Sequence, residues 1–214
     1  MTDRIIVLFA ILICIGTALF LYKGLIAPKY SDAETPIDYA LEPFQEANPD
    51  THIPALKHSA SSYNLTPKAK YQISGILVSK RRYRRGYMSW LSPYDYAIIW
   101  GKAPEYLPYL KFDQIVRFCL FEYKNGAPID IEYLSAHMSN NHLIPSTLNL
   151  RRAFSTAKKK DLVSIDGFLV YVSSTDKQNR SSTWNSSLSR DDKGNGACEI
   201  IYVTRLRIND KVYE

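Results

Sequence analysis

The chain has 214 residues, 46% of them hydrophobic, with 27 Lys/Arg against 21 Asp/Glu. That length holds one membrane segment and one compact domain, and leaves no room for two full domains. The formal charge of +6 is divided: residues 1–50 carry three Lys/Arg against seven Asp/Glu and residues 51–214 carry 24 against 14, so a segment at −4 precedes one at +10. The basic part points to a polyanionic neighbour such as nucleic acid, acidic glycan or lipid headgroups.

Ile5 to Tyr22, IIVLFAILICIGTALFLY, is eighteen residues without a charge. As a helix it would span about 27 Å, close to a hydrocarbon core. It reads as a single-pass transmembrane helix rather than a cleaved leader, because LFLY carries the apolar run past the small residues Gly16-Thr17-Ala18. Cys14 follows Leu12-Ile13, which lacks the small residue expected before a lipid-modified cysteine. The positive-inside comparison is nearly balanced, with Arg4 on one flank and Lys23 and Lys29 on the other. A four-residue tail stays inside more simply, which puts the large domain on the periplasmic or other extracytoplasmic side. The expected organisation is an anchor at 1–27, a tether at 28–69 and a β-rich domain at 70–214.

The tether carries six of the eleven prolines between Pro28 and Pro67, no glycine, and an acidic run from Asp32 to Asp50 free of Lys and Arg. A short helix around 37–41 would begin at Pro36 and stop at Pro43. From Tyr71 the pattern turns to strands: YQISGILVSKRRY, then DYAIIWG at 95–101, then IVRFCLFEY at 115–123, with Asn125-Gly126 as a turn into IDIEYL. Asn140-Asn141-His142 reads as a turn before Pro145. Leu150, Ala153, Phe154 and Ala157 fall at i, i+3, i+4 and i+7 and predict a helix over 147–158, capped by Ser146 or Thr147 and ending in lysines that suit the helix dipole. DLVSIDGFLVYV at 161–172 and CEIIYVTRLRI at 198–208 are two further strands, joined by a polar loop.

Strand groups on both sides of one helix, with Gly75 and Gly167 inside strands, give the plan of a small Greek-key β-barrel with the helix between its third and fourth strands. In YQISGILVS, the 147–158 helix and KKDLVSIDGFLVYV, the chain resembles the oligonucleotide/oligosaccharide-binding (OB) fold over residues 70–209. That resemblance implies ligands crossing near two loops, here 80–94 and 173–197. The first, within SKRRYRRGYMSW, holds Lys80, Arg81, Arg82, Arg84 and Arg85 among Tyr83, Tyr87 and Trp90. The second holds Arg180, Trp184 and Arg190. Arginine forks match phosphate and carboxylate, and rings stack on bases or sugars, so the expected function is an accessory protein holding an anionic polymer or a partner protein. The candidate binding residues are Arg81, Arg82, Tyr83, Arg84, Arg85, Trp90, Trp184 and Arg190.

Other chemistry has weaker support. No His or Cys spacing matches a metal site, and no cofactor is expected. Ser186, Ser187 and Ser189 lack a nucleophile elbow, and no histidine follows them. A membrane-tethered hydrolase acting on phosphodiesters would need His142, Arg190 and Asp191 brought together. A third alternative is a structural subunit of an envelope complex, with Tyr94, Tyr96 and Trp100 buried against a neighbour. Cys119 and Cys198, on adjacent predicted strands, form a possible disulfide in an oxidising compartment.

Overall fold

A computed structural model of the chain describes residues 12–17, 24, 26–86, 88–176, 178–189 and 198–214. The expected transmembrane helix falls largely outside these residues; 12–17 are helical and exposed. Among the described residues, no helix is long and apolar enough to cross a membrane.

The strands are β1 (Ser31–Asp32), β2 (Phe44–Ala47), β3 (Leu56–His58), β4 (Ser61–Arg82), β5 (Tyr94–Ile99), β6 (Leu110–Ile115), β7 (Phe118–Tyr123), β8 (Met138–Pro145), β9 (Leu162–Thr175), β10 (Ser181–Asn185), β11 (Glu199–Ile208) and β12 (Lys211–Tyr213). Ten join in one mixed sheet, and β6 and β7 form a separate hairpin. Pairings run from β4 to β5, β8, β11 and β9 and back to β4, antiparallel except between β8 and β11. The fold is therefore mainly β, a mixed sheet curled into a partial ring.

The expected barrel is corrected by the length of β4. This strand has 22 residues and keeps β9 along one edge. Its other edge is shared out: β3 takes 61–63, β2 takes 69–72, and only 76–82 pair with β5 to continue the ring. Pro67 is tolerated inside β4 because it sits at the register shift between Pro67 and Ala69, where ladder hydrogen bonding is already interrupted.

Two further strand assignments change. IVRFCLFEY is not one strand, since the chain reverses at Val116 and Arg117, both with positive φ (45° and 69°), giving the β6–β7 hairpin. The third ring strand is instead β8, MSNNHLIP, which replaces the expected turn at 140–142. Its polar side chains are buried but partnered: Asn141 Nδ2 donates to the Tyr96 carbonyl at 3.1 Å, and Asn140 Oδ1 accepts from Gln114 Nε2 at 2.9 Å. A buried amide with its partners in place costs little, so the strand can be polar. IDIEYL is a helix, Ile131–Ala136, whose Asp130 cap accepts from the Tyr133 amide.

The 147–158 helix shortens to Leu148–Ala153 with Thr147 as its cap, and the stripe Leu150, Ala153, Phe154 and Ala157 is fully buried. It shares one buried core with Tyr71, Ile73, Ile98 and Ile165 of the ring, and the Tyr96 hydroxyl donates to the Phe154 carbonyl at 2.6 Å. Tyr94, Tyr96 and Trp100 belong to this same core, which corrects their placement against another subunit. The lysines at 158–160 lie beyond the helix, and Lys80 Nζ instead donates to the Ser155 and Ala157 carbonyls at its end. Residues 28–60 lie on the sheet through β1 to β3, and Glu42 holds them there by accepting from Trp100 Nε1 at 2.9 Å and facing His137 Nε2 at 2.9 Å.

At Gly167 a β-carbon would collide with the Tyr202 carbonyl of β11, and at Gly75 with the Ile99 carbonyl of β5. At both positions the neighbouring strand leaves no room for a β-carbon. Gly167→Ala should destabilise the full chain by about 1–3 kcal/mol through overpacking, read as a lowered melting temperature in detergent. Unchanged melting would show that the β9–β11 contact is looser than described.

Candidate binding rim

The two loops singled out in the sequence meet. Tyr83 follows β4, and Trp184 lies on β10, paired with Val172 of β9. Between them stands Arg117 from the β6–β7 turn, its guanidinium carbon 3.9 Å from the Tyr83 ring centre and 5.3 Å from that of Trp184. Cation–ring contacts of this kind attract most strongly when partly desolvated, and Arg117 is half-buried.

Beneath this stack lies Asp95, with no exposed surface. Arg117 reaches its Oδ1 at 2.7 Å and also donates to Ser92 Oγ and the Ser92 carbonyl at 3.2 and 2.9 Å. His142, on β8 and 3% exposed, brings Nδ1 to 2.9 Å from the same Asp95 oxygen without meeting hydrogen-bond geometry. Its ring centre is 4.8 Å from that of Trp184. The Tyr83 hydroxyl accepts the Arg117 amide at 3.1 Å. Burial first, and the Asp95 charge second, push the Tyr83 phenol up to about 12, so it stays neutral in ordinary buffers.

Two clefts open on this rim and share Tyr83 as a wall. The larger, about 690 Å³, contains Arg82, Arg84, Arg151 and Arg152, with Trp90 and Tyr94 as aromatic walls. The smaller, about 590 Å³, contains Arg85 and Arg117 beside Trp184 and His142. Among the described residues, neither is lined by an aspartate or glutamate. Arg82 and Trp184 thus lie on either side of one tyrosine.

Of the candidate binding residues, Arg82, Tyr83, Arg84, Arg85, Trp90 and Trp184 line these clefts. Arg81 does not; its guanidinium donates to the Gln114 carbonyl of β6 at 3.0 Å. Trp90 is already engaged within the chain, stacked on His58 at 4.4 Å and 9° with Arg151 at 5.2 Å from its ring. Arg190 and Asp191, and Tyr87 of the first loop, lie outside the described residues. No bridge joins Cys119 and Cys198 in this structure; Cys119 lies on the hairpin and Cys198 just before β11. Burial pushes the Cys119 thiol up to about 12.

Sequence reading missed Asp95, Arg117, Arg151, Arg152 and His58. Arg151 and Arg152 had a signal, since they sit on the polar side of the helix whose apolar stripe includes Leu150 and Ala153. Arg117 had a weaker one, a lone cation inside an apolar run. Arg117→Ala should cost about 3–5 kcal/mol because it leaves the Asp95 charge buried and unpaired, and adding Asp95→Asn should restore most of that loss. Thermal melts of both variants by near-ultraviolet circular dichroism check this, and equal melting of Arg117→Ala and the parent would remove the pair from its organising role. Comparison of this chain with protein-family models, curated proteins and solved structures finds no match.

Proposed function

We propose that the chain is a membrane-anchored, extracytoplasmic binding protein whose basic, aromatic-walled rim holds a polyanion, with phosphate or carboxylate groups presented in a row. The observation that carries this reading is the pair of clefts meeting at Tyr83 with arginines in both and, among the described residues, no acidic side chain lining either. Asp95 is beneath the surface and paired with Arg117, so it offsets that arginine and leaves the charge of the others. Arginine forks would take the anionic groups, and the Trp184 and Tyr83 edges would flank what joins them.

The pairing order β4–β5–β8–β11–β9, the parallel β8–β11 pair and the helix placed between β8 and β9 support an OB-like strand order within the partial ring. Anchoring rests on the charge-free stretch 5–22, flanked by Arg4 on one side and Lys23 and Lys29 on the other.

Salt dependence tests the binding. For the full chain in detergent, binding of a single-stranded oligonucleotide that engages four phosphates should fall with a log–log salt slope of about −3. Replacing Arg82, Arg84 and Arg85 together by Gln should flatten the slope by about 2 and weaken binding of an acidic glycan in parallel. Binding that ignores these substitutions would sink the proposal.

A second reading is favoured by one observation: His142 faces the smaller cleft while its Nδ1 lies beside the buried Asp95. A carboxylate behind an imidazole is the arrangement that orients a general base, which fits the alternative of a phosphodiester hydrolase. On that reading His142→Gln abolishes turnover of a model phosphodiester while leaving the melting temperature within a few degrees of the parent. Absence of turnover by the parent, with divalent cations supplied, discards it.

A further inference from the structure

The tip of the β6–β7 hairpin has the wrong chemistry for its conformation. A two-residue turn with both φ values positive is the natural place for Asn-Gly, yet it is built from Val116 and Arg117. A β-branched side chain at φ 45° is strained, and Val116 gains no burial in return because it is 76% exposed. Its neighbours on the outward face, Ile115, Phe118 and Leu120, are exposed as well, while the inward face packs Phe112 and Phe121 against the domain. The tip cannot fold back to cover itself, because Arg117 is pinned to Asp95 and its carbonyl accepts from Asn140.

Position adds a second, independent argument. Val116 and Phe118 wall the smaller cleft beside Arg85. The larger, basic cleft is walled by the exposed Leu148 and by Ile26 and Pro28. Ile26 is four residues after Tyr22, the end of the charge-free stretch, so at most about 14 Å of chain separates the two. A membrane holding 5–22 would therefore lie next to the arginines, with apolar side chains projecting from the same rim.

We infer that this rim seats on an anionic bilayer surface, with Arg82, Arg84, Arg85 and Arg151 on headgroup phosphates and Val116 and Phe118 dipped into the boundary between headgroups and acyl chains. The inference rests on the polyanion-binding rim proposed above and commits the row of anions to lipid. Strained, exposed apolar residues beside cations are what an interfacial contact uses and what a soluble polyanion does not need.

The test is photocrosslinking of the full chain in nanodiscs of neutral phospholipid, with or without an anionic phospholipid. Benzoylphenylalanine replaces Val116, or Glu105 on the helical turn before β6 as a control. Lipid adducts are expected from position 116 and not 105, strongly in anionic discs and weakly in neutral ones. Each of Arg82, Arg84 and Arg85 changed to Gln should lower the anionic-over-neutral ratio roughly fivefold. No adduct at 116 in a chain that still binds oligonucleotide through the arginines would overturn the membrane seat and leave the polyanion reading standing. Neither adduct nor oligonucleotide binding would overturn both, and equal adducts in neutral and anionic discs would overturn the headgroup contact.

Discussion

The Asp95 carboxylate has no exposed surface, and a charge removed from water costs several kcal/mol unless a partner meets it. Arg117 meets it at 2.7 Å, and almost every feature of the rim follows from where that arginine comes from. It belongs to the hairpin, not to the ring, so the ion pair, with the Gln114–Asn140 and Arg81–Gln114 bonds, fastens the two-stranded sheet to the ten-stranded one at this end. The same guanidinium fills the space between Tyr83 and Trp184, which belong to loops about a hundred positions apart in sequence. One fork thereby sets the distance between two aromatic walls and the direction of the hairpin tip. Replacing the pair by apolar groups of similar volume would hold the sheets together equally well, so its retention concerns geometry more than stability.

Legibility in the sequence followed the hydrophobic pattern. The ring strands β4, β5, β9 and β11 were visible because each carries a run of aliphatic and aromatic residues, and Thr147 was visible as a helix cap because it precedes an apolar stripe. β8 was not, since MSNNHL lacks both alternation and hydrophobicity; what makes it a strand is a set of partners for its amides on β5 and in the hairpin, none of which is near it in sequence. The reversal at Val116-Arg117 was hidden for the opposite reason. The local residues favour a continuous strand, and what supports turning there are the long-range contacts of Arg117 with Asp95, Ser92, Tyr83 and Asn140.

The candidate site divides along the same line. Arg82, Tyr83, Arg84 and Arg85 could be read from composition because they lie together, and Trp184 because of its chemistry. The network beneath them could not, as Asp95 sits in an apolar strand and His142 in the polar one. Lys80 and Arg81 show the limit of composition from the other side. In a strand successive side chains point to opposite faces, so a run of cations through the end of β4 cannot all face one ligand. Lys80 turns to the carbonyls at the end of the 148–153 helix and Arg81 to the Gln114 carbonyl, leaving Arg82 to the cleft.

The division of charge along the chain gains its meaning from the path of residues 28–60. An acidic segment tethered to a basic domain would, if free, settle over the cations and cancel their field. Here Glu42 is tied to Trp100 and His137, and Glu46 lies on β2 beside β4. From this whole stretch only Pro28 and His58 reach the clefts, and neither carries a negative charge. Pairing with β4 therefore helps keep this segment's acidic groups off the rim, and the field of the cleft arginines other than Arg117 remains directed outward. A rim that stays positive with an acidic segment so close at hand is what the proposed polyanion contact requires.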